Sequence, residues 1–230
     1  MSLFPIISPA AAVFSPTDIV SLELWLDAAQ GVTKDGSDFV SAWADQSGNG
    51  VDFVSASTSR PLWQASRFNS LPGIVADGSN DYMDATGESI SNAAIHIFAV
   101  CQQASWTLYD YPMEIKGTST ITIQQRASTP QVAQGASNVV SMTLNTPFLW
   151  ETCFLNSTAN FQKLNAGSKV TGANPGHPSA NITDITLFNA RDRSWDCNFE
   201  YAELVWFSAE LTGDDLTNMQ TYLNDKYSVY

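Results

Sequence analysis

Residues 71–83 read Leu-Pro-Gly-Ile-Val-Ala-Asp-Gly-Ser-Asn-Asp-Tyr-Met, and this stretch decides the fold. A short apolar run is followed by five residues rich in side-chain oxygens and then by Tyr and Met. Short apolar runs bounded by Gly, Asn and Asp are typical of β-strands that are joined by tight turns. The stretch therefore predicts a strand, a turn over residues 77–81 and the beginning of a further segment of sheet.

The oxygen-rich turn has two interpretations. In the first, which we favour, its side chains accept hydrogen bonds from the amides of the turn itself. In the second, Asp77, Asn80 and Asp81 bind Ca²⁺ through carboxylate and amide oxygens. The spacing differs from that of an EF-hand loop, which ends on a glutamate. Ca²⁺ is the cofactor that the sequence leaves open, and we expect no other.

Outward from this turn, the chain consists of many short segments with a period of two. Leu22, Leu24 and Leu26 alternate with Glu23, Trp25 and Asp27. Residues 119–125 alternate in the same way. This spacing predicts an all-β sandwich or barrel. We assign further strands to residues 39–43, 51–54, 72–76, 93–101, 105–109, 112–116, 139–144, 147–155, 160–164, 183–188 and 200–207.

One helix is predicted, at the end of the chain. Leu216, Met219, Leu223 and Tyr227 recur at helical spacing and would form one apolar face. Thr212 precedes them as the expected N-cap, and two aspartates follow in the first turn, where the helix dipole favours negative charge. We expect this helix to pack against the sandwich.

The charge of the chain excludes some partners. Its 230 residues carry a net charge of −13, and only 14% of them are charged. Nucleic-acid binding requires clustered Lys and Arg, which the sequence lacks, and an anionic membrane surface would repel the chain. The share of charged residues is well below the roughly 25% of ordinary soluble domains. A polar surface of low charge is typical of extracellular and virion proteins.

The three cysteines, Cys101, Cys153 and Cys197, show no metal-binding spacing. We interpret them as small buried hydrophobic residues, although one disulfide among them is an open alternative.

The first eighteen residues differ from the rest, because they are apolar, interrupted by prolines and uncharged until Asp18. We predict an extended N-terminal arm over residues 1–18 and one domain over residues 19–230. The arm lacks a basic segment before its apolar residues, so we do not expect it to be a signal peptide. Its role would be to dock the domain on a partner, through Phe4, Ile6, Ile7 and Phe14.

Four segments, in this order, resemble the concanavalin A-like and laminin-G-like jelly rolls of phage virion proteins and bacterial surface proteins. They are residues 24–28, 42–50, 71–83 and 200–207, and the last is followed by the helix that ends at residues 222–227. The resemblance spans residues 22–230 and implies a two-sheet antiparallel jelly-roll sandwich. The family usually has an aromatic residue where this chain has Ala76, and residues 102–180 match only in pattern. The chemistry of the loops is therefore not carried over from the family.

No catalytic pattern stands out in the sequence. Related folds include glycanases with a Glu-x-Asp-x-x-Glu strand, which this chain lacks. Glu200 and Glu203 are three residues apart and would face opposite sides of a regular strand. His96 lies within an apolar run and is predicted to be a structural histidine. We therefore expect a protein without enzymatic activity.

Two aromatic segments are candidates for recognition. Trp106, Tyr109 and Tyr111 lie among amides and an aspartate, and Trp195 lies in a second segment of the same kind. Such residues could bind a glycan or a protein. Alternatively, they belong to the core of the sandwich, which is the interpretation that we favour slightly.

The resulting expectation is a non-catalytic structural or adhesion protein of a phage virion, either a capsid decoration protein or a component of a head or tail fibre. It would contact other virion proteins or its own copies, bind host glycans for attachment, and have neither a nucleic-acid nor a membrane partner. The alternative is a carbohydrate-binding lectin domain of a bacterial surface protein, at the cell surface or outside the cell. A cryptic glycanase is a third interpretation.

Overall fold

The computed structural model describes residues 13–124, 129–134, 138–155, 160–172 and 177–230. The strands in these ranges form two antiparallel sheets. The eight-stranded first sheet contains β1 (Leu22–Asp27), β5 (Leu62–Phe68), β6 (Leu71–Val75), β8 (Ala94–Gln103), β13 (Phe148–Leu155), β14 (Asn160–Leu164), β15 (Val170–Gly172) and β17 (Phe199–Phe207). The nine-stranded second sheet contains β2 (Val32–Lys34), β3 (Val40–Trp43), β4 (Phe53–Val54), β7 (Met83–Ile90), β9 (Met113–Lys116), β10 (Thr120–Gln124), β11 (Gln131–Gln134), β12 (Asn138–Ser141) and β16 (Ile182–Leu187).

The order of the strands shows a sandwich of the jelly-roll type. The first sheet runs β15-β14-β13-β8-β17-β6-β5, and β1 pairs with the second half of β17. The second sheet runs β12-β11-β10-β9-β16-β7-β4-β3-β2. The central strands of both sheets, such as β8, β17, β16 and β7, have neighbours that are distant in sequence, so connections cross from one sheet to the other at the rims. The predicted all-β jelly-roll sandwich is confirmed.

The main core lies between the two sheets. Trp43 and Phe53 from the second sheet meet Trp150, Tyr201 and Trp206 from the first sheet, and all five are fully buried. Aromatic side chains of this size contribute a large share of the buried apolar area and hold the two sheets together.

A helix covers the outer face of the first sheet. Helix α1 (Gly213–Tyr227) follows Thr212, as predicted, although the Thr212 side chain makes no capping hydrogen bond. Its residues Met219 and Leu223 pack on Val205 and Phe207 of β17. Because the core covers one face and α1 the other, β8 and β17 are buried along their whole length. No helix in the described ranges is long and apolar enough to cross a membrane.

The buried polar groups between β17 and α1 are paired. The Glu203 carboxylate accepts hydrogen bonds from Lys226 Nζ at 2.7 Å, from the Tyr227 hydroxyl at 2.9 Å and from Trp25 Nε1 at 2.7 Å. Lys226 also contacts Asp27 at 2.8 Å. Burial raises the pKa of Glu203, and the neighbouring ammonium group opposes this effect. These contacts fix the helix to the sheet.

The register of β17 corrects one expectation. A shift between Tyr201 and Glu203 interrupts the alternation of side chains, and Glu203 is paired with Val100 while Glu200 is paired with Gln102. Paired residues share a face of the sheet, so both glutamates lie on the face that carries α1 and not on opposite faces. Glu200 is bound there by Arg67 at 2.5 Å.

His96 is a structural residue, as predicted. It is fully buried, and its Nδ1 accepts a hydrogen bond from the Leu211 amide at 2.9 Å. Burial lowers its pKa, and Glu151, 3.4 Å away, acts in the opposite direction. Cys101, Cys153 and Cys197 are also buried, and none of them forms a disulfide.

Some strands differ from the prediction. Residues 105–109 form a loop instead of a strand, and Tyr109 has a φ of 72° there. A positive φ is incompatible with a regular strand. Strand β5 was not predicted, because its central residues are polar and exposed and it lies at the edge of its sheet.

Candidate functional site

Three loops meet at one rim of the sandwich because of the pairing in the first sheet. Val75 at the end of β6 is opposite Glu200, and Gln103 at the end of β8 is opposite Phe199 at the start of β17. The loops that follow β6 and β8 and the loop that precedes β17 therefore lie side by side. They comprise residues 76–82, 104–112 and 188–198.

Backbone contacts hold these loops together. The Ala104 amide donates to the Asn198 carbonyl at 3.4 Å, and Asn198 Nδ2 donates to the Asp77 carbonyl at 3.3 Å. Gly78 has a φ of 75°, and a Cβ at this position would lie 2.9 Å from Asn198 Cβ. Only glycine combines this conformation with such a close approach. The sequence Asp77-Gly78 therefore brings the turn against the loop before β17.

A groove of about 270 Å³ opens between the three loops. We call it the rim groove, and it is lined by Asp77, Ser105, Thr107, Asp110, Trp195 and Asp196 together with the adjoining residues of the same loops. It combines one large aromatic side chain with hydroxyl and carboxyl groups.

One of the predicted recognition residues, Trp195, lines this groove, and a second, Tyr109, lies outside the lining and packs against Trp195. The rings of Tyr109 and Trp195 are 5.2 Å apart and inclined at 64°, in an edge-to-face arrangement. Both side chains stay about 40% exposed, at 41% and 40% respectively. Since Tyr109 packs against Trp195, it fixes the orientation of an aromatic surface that solvent can reach. Trp106 and Tyr111 are also within the described residues, but both are half-buried and lie outside the groove lining.

The carboxyl groups of the groove are affected by their burial. Burial raises the pKa of Asp110 to about 7, against the effect of a hydrogen bond from the Thr107 amide at 3.2 Å. Asp196 lies close enough to raise it further. The pKa of Asp196 is itself raised, mainly by burial, although Asn189 donates a hydrogen bond to its Oδ1. Near neutral pH, both forms of the Asp110 carboxyl group are therefore populated.

The turn with the Ca²⁺ candidates uses its oxygens internally. Asp81 Oδ2 accepts from the Asp77 amide at 2.9 Å, and Asp77 Oδ1 accepts from the Ser79 amide at 2.8 Å. Asn80 Nδ2 donates to the Thr58 carbonyl at 2.9 Å. Burial raises the pKa of Asp81 to about 6. Among the described residues, no group of three or more His, Cys, Asp or Glu side chains has an arrangement that could hold a metal ion. The geometry is that of the self-bonded turn, which is the first of our two interpretations.

Phe14, a residue of the predicted N-terminal arm, does not line the rim groove. Phe14 packs against Tyr222 of α1 with a ring distance of 5.9 Å, whereas Val13 is 92% exposed. The other proposed docking residues, Phe4, Ile6 and Ile7, lie outside the described residues. Docking on a partner through these residues therefore stays a prediction, as does the division of the chain at residue 18.

Sequence reasoning did not single out Asp110 and Asp196. Both lie within the aromatic segments that it selected, but their burial depends on how the three loops pack. The loop between β4 and β5, which adjoins the turn at Asp77, was not selected either.

Comparison with known proteins gives a likeness in structure alone. No family model matches the chain, and no curated protein matches its sequence. Trypanosoma rangeli sialidase in complex with sialic acid matches with a TM-score of 0.61 and 12% identity over 94% of this chain. A GH54 α-L-arabinofuranosidase soaked with a cyclic sulfate inhibitor matches with a TM-score of 0.57 and 16% identity over 82% of this chain.

The chain corresponds to only part of each of these two proteins. The chain spans 34% of the sialidase chain and 51% of the arabinofuranosidase chain, which is about a third to a half of their lengths. At such low identity, the likeness shows a shared β-sandwich fold. It does not transfer an activity to this chain.

These findings correct the expected function. The expectation of a non-catalytic virion protein is wrong, because the solved structures with this fold described above are glycoside hydrolases and neither of them is a virion component. The expectation that the chain is not an enzyme is corrected on the same ground. What remains of the family resemblance is the two-sheet sandwich itself.

Proposed function

We propose that this chain is a carbohydrate-active domain and that a glycan binds in the rim groove. The observation that carries the proposal is the exposed Tyr109–Trp195 pair beside the carboxyl groups of Asp110 and Asp196. The fold shared with two kinds of glycosidase supports it.

The groove suits a sugar for physical reasons. The face of an exposed indole ring buries the C–H surface of a sugar ring, and the ring stays in place because Tyr109 supports it. Hydroxyl and carboxyl groups at fixed positions bond the sugar hydroxyls and determine which sugar fits. Ser105, Thr107 and Asp110 provide such groups in the same lining as Trp195.

A glycan array followed by titration of the purified chain tests the proposal. We expect binding to at least one glycan class, and we expect Trp195→Ala to weaken it about tenfold, which corresponds to ~1.4 kcal/mol. Tyr230→Ala is the matched control, since Tyr230 is 47% exposed and does not line the groove. An array without any bound glycan, or equal losses in the two variants, would contradict glycan binding in this groove.

Hydrolysis of a glycosidic bond is a second candidate, favoured by the raised pKa of Asp110. A carboxyl group with a pKa near 7 is still largely protonated at mildly acidic pH and can donate a proton to the leaving oxygen. Asp196 in the same groove would be the second carboxyl group that glycoside hydrolysis requires.

A panel of 4-nitrophenyl glycosides, including the α-L-arabinofuranoside and a sialoside, tests this second candidate. We expect the turnover rate to decrease as the pH rises through about 7. We also expect Asp110→Asn and Asp196→Asn each to abolish turnover. Asp214→Asn in the first turn of α1 is the control and should leave the rate unchanged. A rate that survives both groove substitutions would refute catalysis by these carboxyl groups.

A further inference from the structure

A second pocket adjoins the rim groove. It has a volume of about 270 Å³ and is lined by Phe39, Arg60, Asn80 and Asp81, with Ser57 and Thr58 between them. Asp77 lines both this pocket and the rim groove. The two spaces therefore meet at one side chain.

The turn at Asp77 is fixed from both sides, so the two pockets keep their relative position. Asn80 bonds to the Thr58 carbonyl on the side of the second pocket. Asn198 bonds to the Asp77 carbonyl on the side of the rim groove. A ligand that passes Asp77 would therefore meet two preformed pockets in a constant arrangement, which lowers the entropic cost of binding.

The second pocket has its own aromatic surface. Phe39 is 42% exposed, and the Arg60 guanidinium lies 5.5 Å from its ring centre. Arg60 is already paired with Asp35 at 2.8 Å. Because Phe39 stays 42% exposed beside this contact, the rest of its surface is available for an apolar face of a ligand.

The volumes indicate a ligand that uses both pockets. Ordinary small-molecule sites have volumes of about 300–1,000 Å³. Each of the two pockets, at about 270 Å³, is just below this range. Joined at Asp77, they fall within it.

The charges indicate the class of ligand. Four carboxyl groups line the two pockets, namely those of Asp77, Asp81, Asp110 and Asp196. The cationic side chain in the lining, Arg60, is neutralised by Asp35. An acidic sugar would meet carboxylates at short range and a chain of net charge −13 at long range. Uncharged hydroxyl groups and ammonium groups, in contrast, can donate hydrogen bonds to the carboxylates.

We propose that the rim groove and the second pocket form one binding trough, which takes an oligosaccharide of uncharged or amino sugars and rejects acidic sugars. This inference rests on the proposed glycan binding and specifies the ligand of the same site. It differs from what the sialidase structure holds, since sialic acid is an acidic sugar.

The test uses an array that contains uncharged, amino and acidic glycans of several lengths, with titration of the purified full chain. Within it, β-1,4-linked tetramers of glucose, glucosamine and glucuronic acid differ in charge on one backbone. We expect uncharged or amino glycans to bind at least tenfold more tightly than acidic glycans of the same backbone.

Two variants separate charge from length. Asp77→Asn keeps an oxygen for the Ser79 amide and removes one charge, so the preference against acidic glycans should decrease severalfold. Phe39→Ala should weaken binding of longer oligosaccharides about tenfold and leave monosaccharide binding unchanged. Val54→Ala is the control for Phe39→Ala, since Val54 is 55% exposed and lines neither pocket. The unfolding temperature of each variant shows whether it is folded.

Each result has a defined meaning. Equal or tighter binding of acidic glycans would overturn the charge selection and leave the proposed glycan binding intact. A Phe39→Ala effect that does not depend on length would overturn the joined trough. If no glycan binds at all, the proposed function fails and this inference fails with it.

Discussion

At the scale of single residues, Asp110 determines how the rim groove responds to pH. Its carboxyl group is only 6% exposed, and burial raises its pKa to about 7. The Thr107 amide donates a hydrogen bond to this carboxyl group and favours its ionised form, so burial and the hydrogen bond shift its pKa in opposite directions. Asp196 and Asp77 belong to the same groove and add negative charge around it.

The first prediction concerns stability as a function of pH. The pKa of Asp110 is higher in the folded chain than the ordinary value of 3.8, so the fold binds the proton more tightly than the unfolded chain. Its stabilising contribution is present below pH ~4 and is lost as the pH rises through about 7, by at most ~4 kcal/mol. Asp110→Asn should therefore flatten the dependence of the unfolding temperature on pH between 5 and 8.

The control for this prediction is a carboxyl group outside the groove. Asp214→Asn, at the start of α1, should keep the dependence of the parent chain. Part of the slope should survive in Asp110→Asn, because burial also raises the pKa of Asp81 to about 6. An unchanged slope in Asp110→Asn would show that this carboxyl group titrates normally.

At the scale of elements, the contact between β17 and α1 depends on one half-buried cation that is paired with two buried carboxylates. Lys226 reaches both Asp27 and Glu203, whose side chains are 1% and 0% exposed. Removing one partner of a buried ionic group leaves an uncompensated charge, which costs roughly 3–5 kcal/mol. Protonation of Glu203, whose pKa burial already raises, would reduce this cost.

The second prediction is that Lys226→Met lowers the free energy of unfolding by about 3 kcal/mol. Lys226→Met combined with Glu203→Gln should lose less than the sum of the two single variants, because one of the two carboxylates that lose their cation is then replaced by a neutral amide. Denaturant unfolding measures all three, with Lys169→Met as the control at the exposed pair with Glu210. A cost below ~0.5 kcal/mol would mean that Lys226 is solvated and does not fix the helix.

The elements also show how far sequence patterns reach. The spacing of Leu24 and Leu26 and the helical spacing from Leu216 to Tyr227 predicted their elements correctly, because each set packs into one apolar cluster. Leu22 departs from the alternation, because a register shift between Leu22 and Leu24 places it in the cluster that contains α1. The pattern wrongly predicted a strand over residues 105–109, because an apolar and aromatic segment at a rim has the composition of a strand. The pattern did not predict strand β5, because the apolar residues of this edge strand do not alternate with polar ones.

At the scale of the whole molecule, the sandwich brings together residues from three distant parts of the chain. The order of the segments that resemble a jelly roll was sufficient to predict two sheets and a terminal helix. It could not predict the rim groove, because the lining depends on β6, β8 and β17 being neighbours in one sheet. Tyr109 and Trp195 were both selected from the sequence, but their contact across 86 positions follows only from this topology.

The function could not be read from the sequence for the same reason. Local patterns did not connect Asp110 with Asp196, because these residues come from different loops and line one groove only in the folded chain. The low charge and the apolar arm suggested a virion, and neither feature is specific to virions. The rim groove is the place on the molecule where we propose that the function lies.

The measurement that tests this account most directly is a heteronuclear NMR titration of the full chain with the best glycan from the array. The account predicts that the shifted amide signals belong to residues 76–82, 104–112 and 188–198, joined for an oligosaccharide by those around Phe39 and Arg60, and that Trp195→Ala weakens the binding that causes these shifts while Tyr230→Ala does not. Shifts confined to the helix α1 side, around Phe14 and Tyr222, would contradict it, as would a titration in which no signal moves.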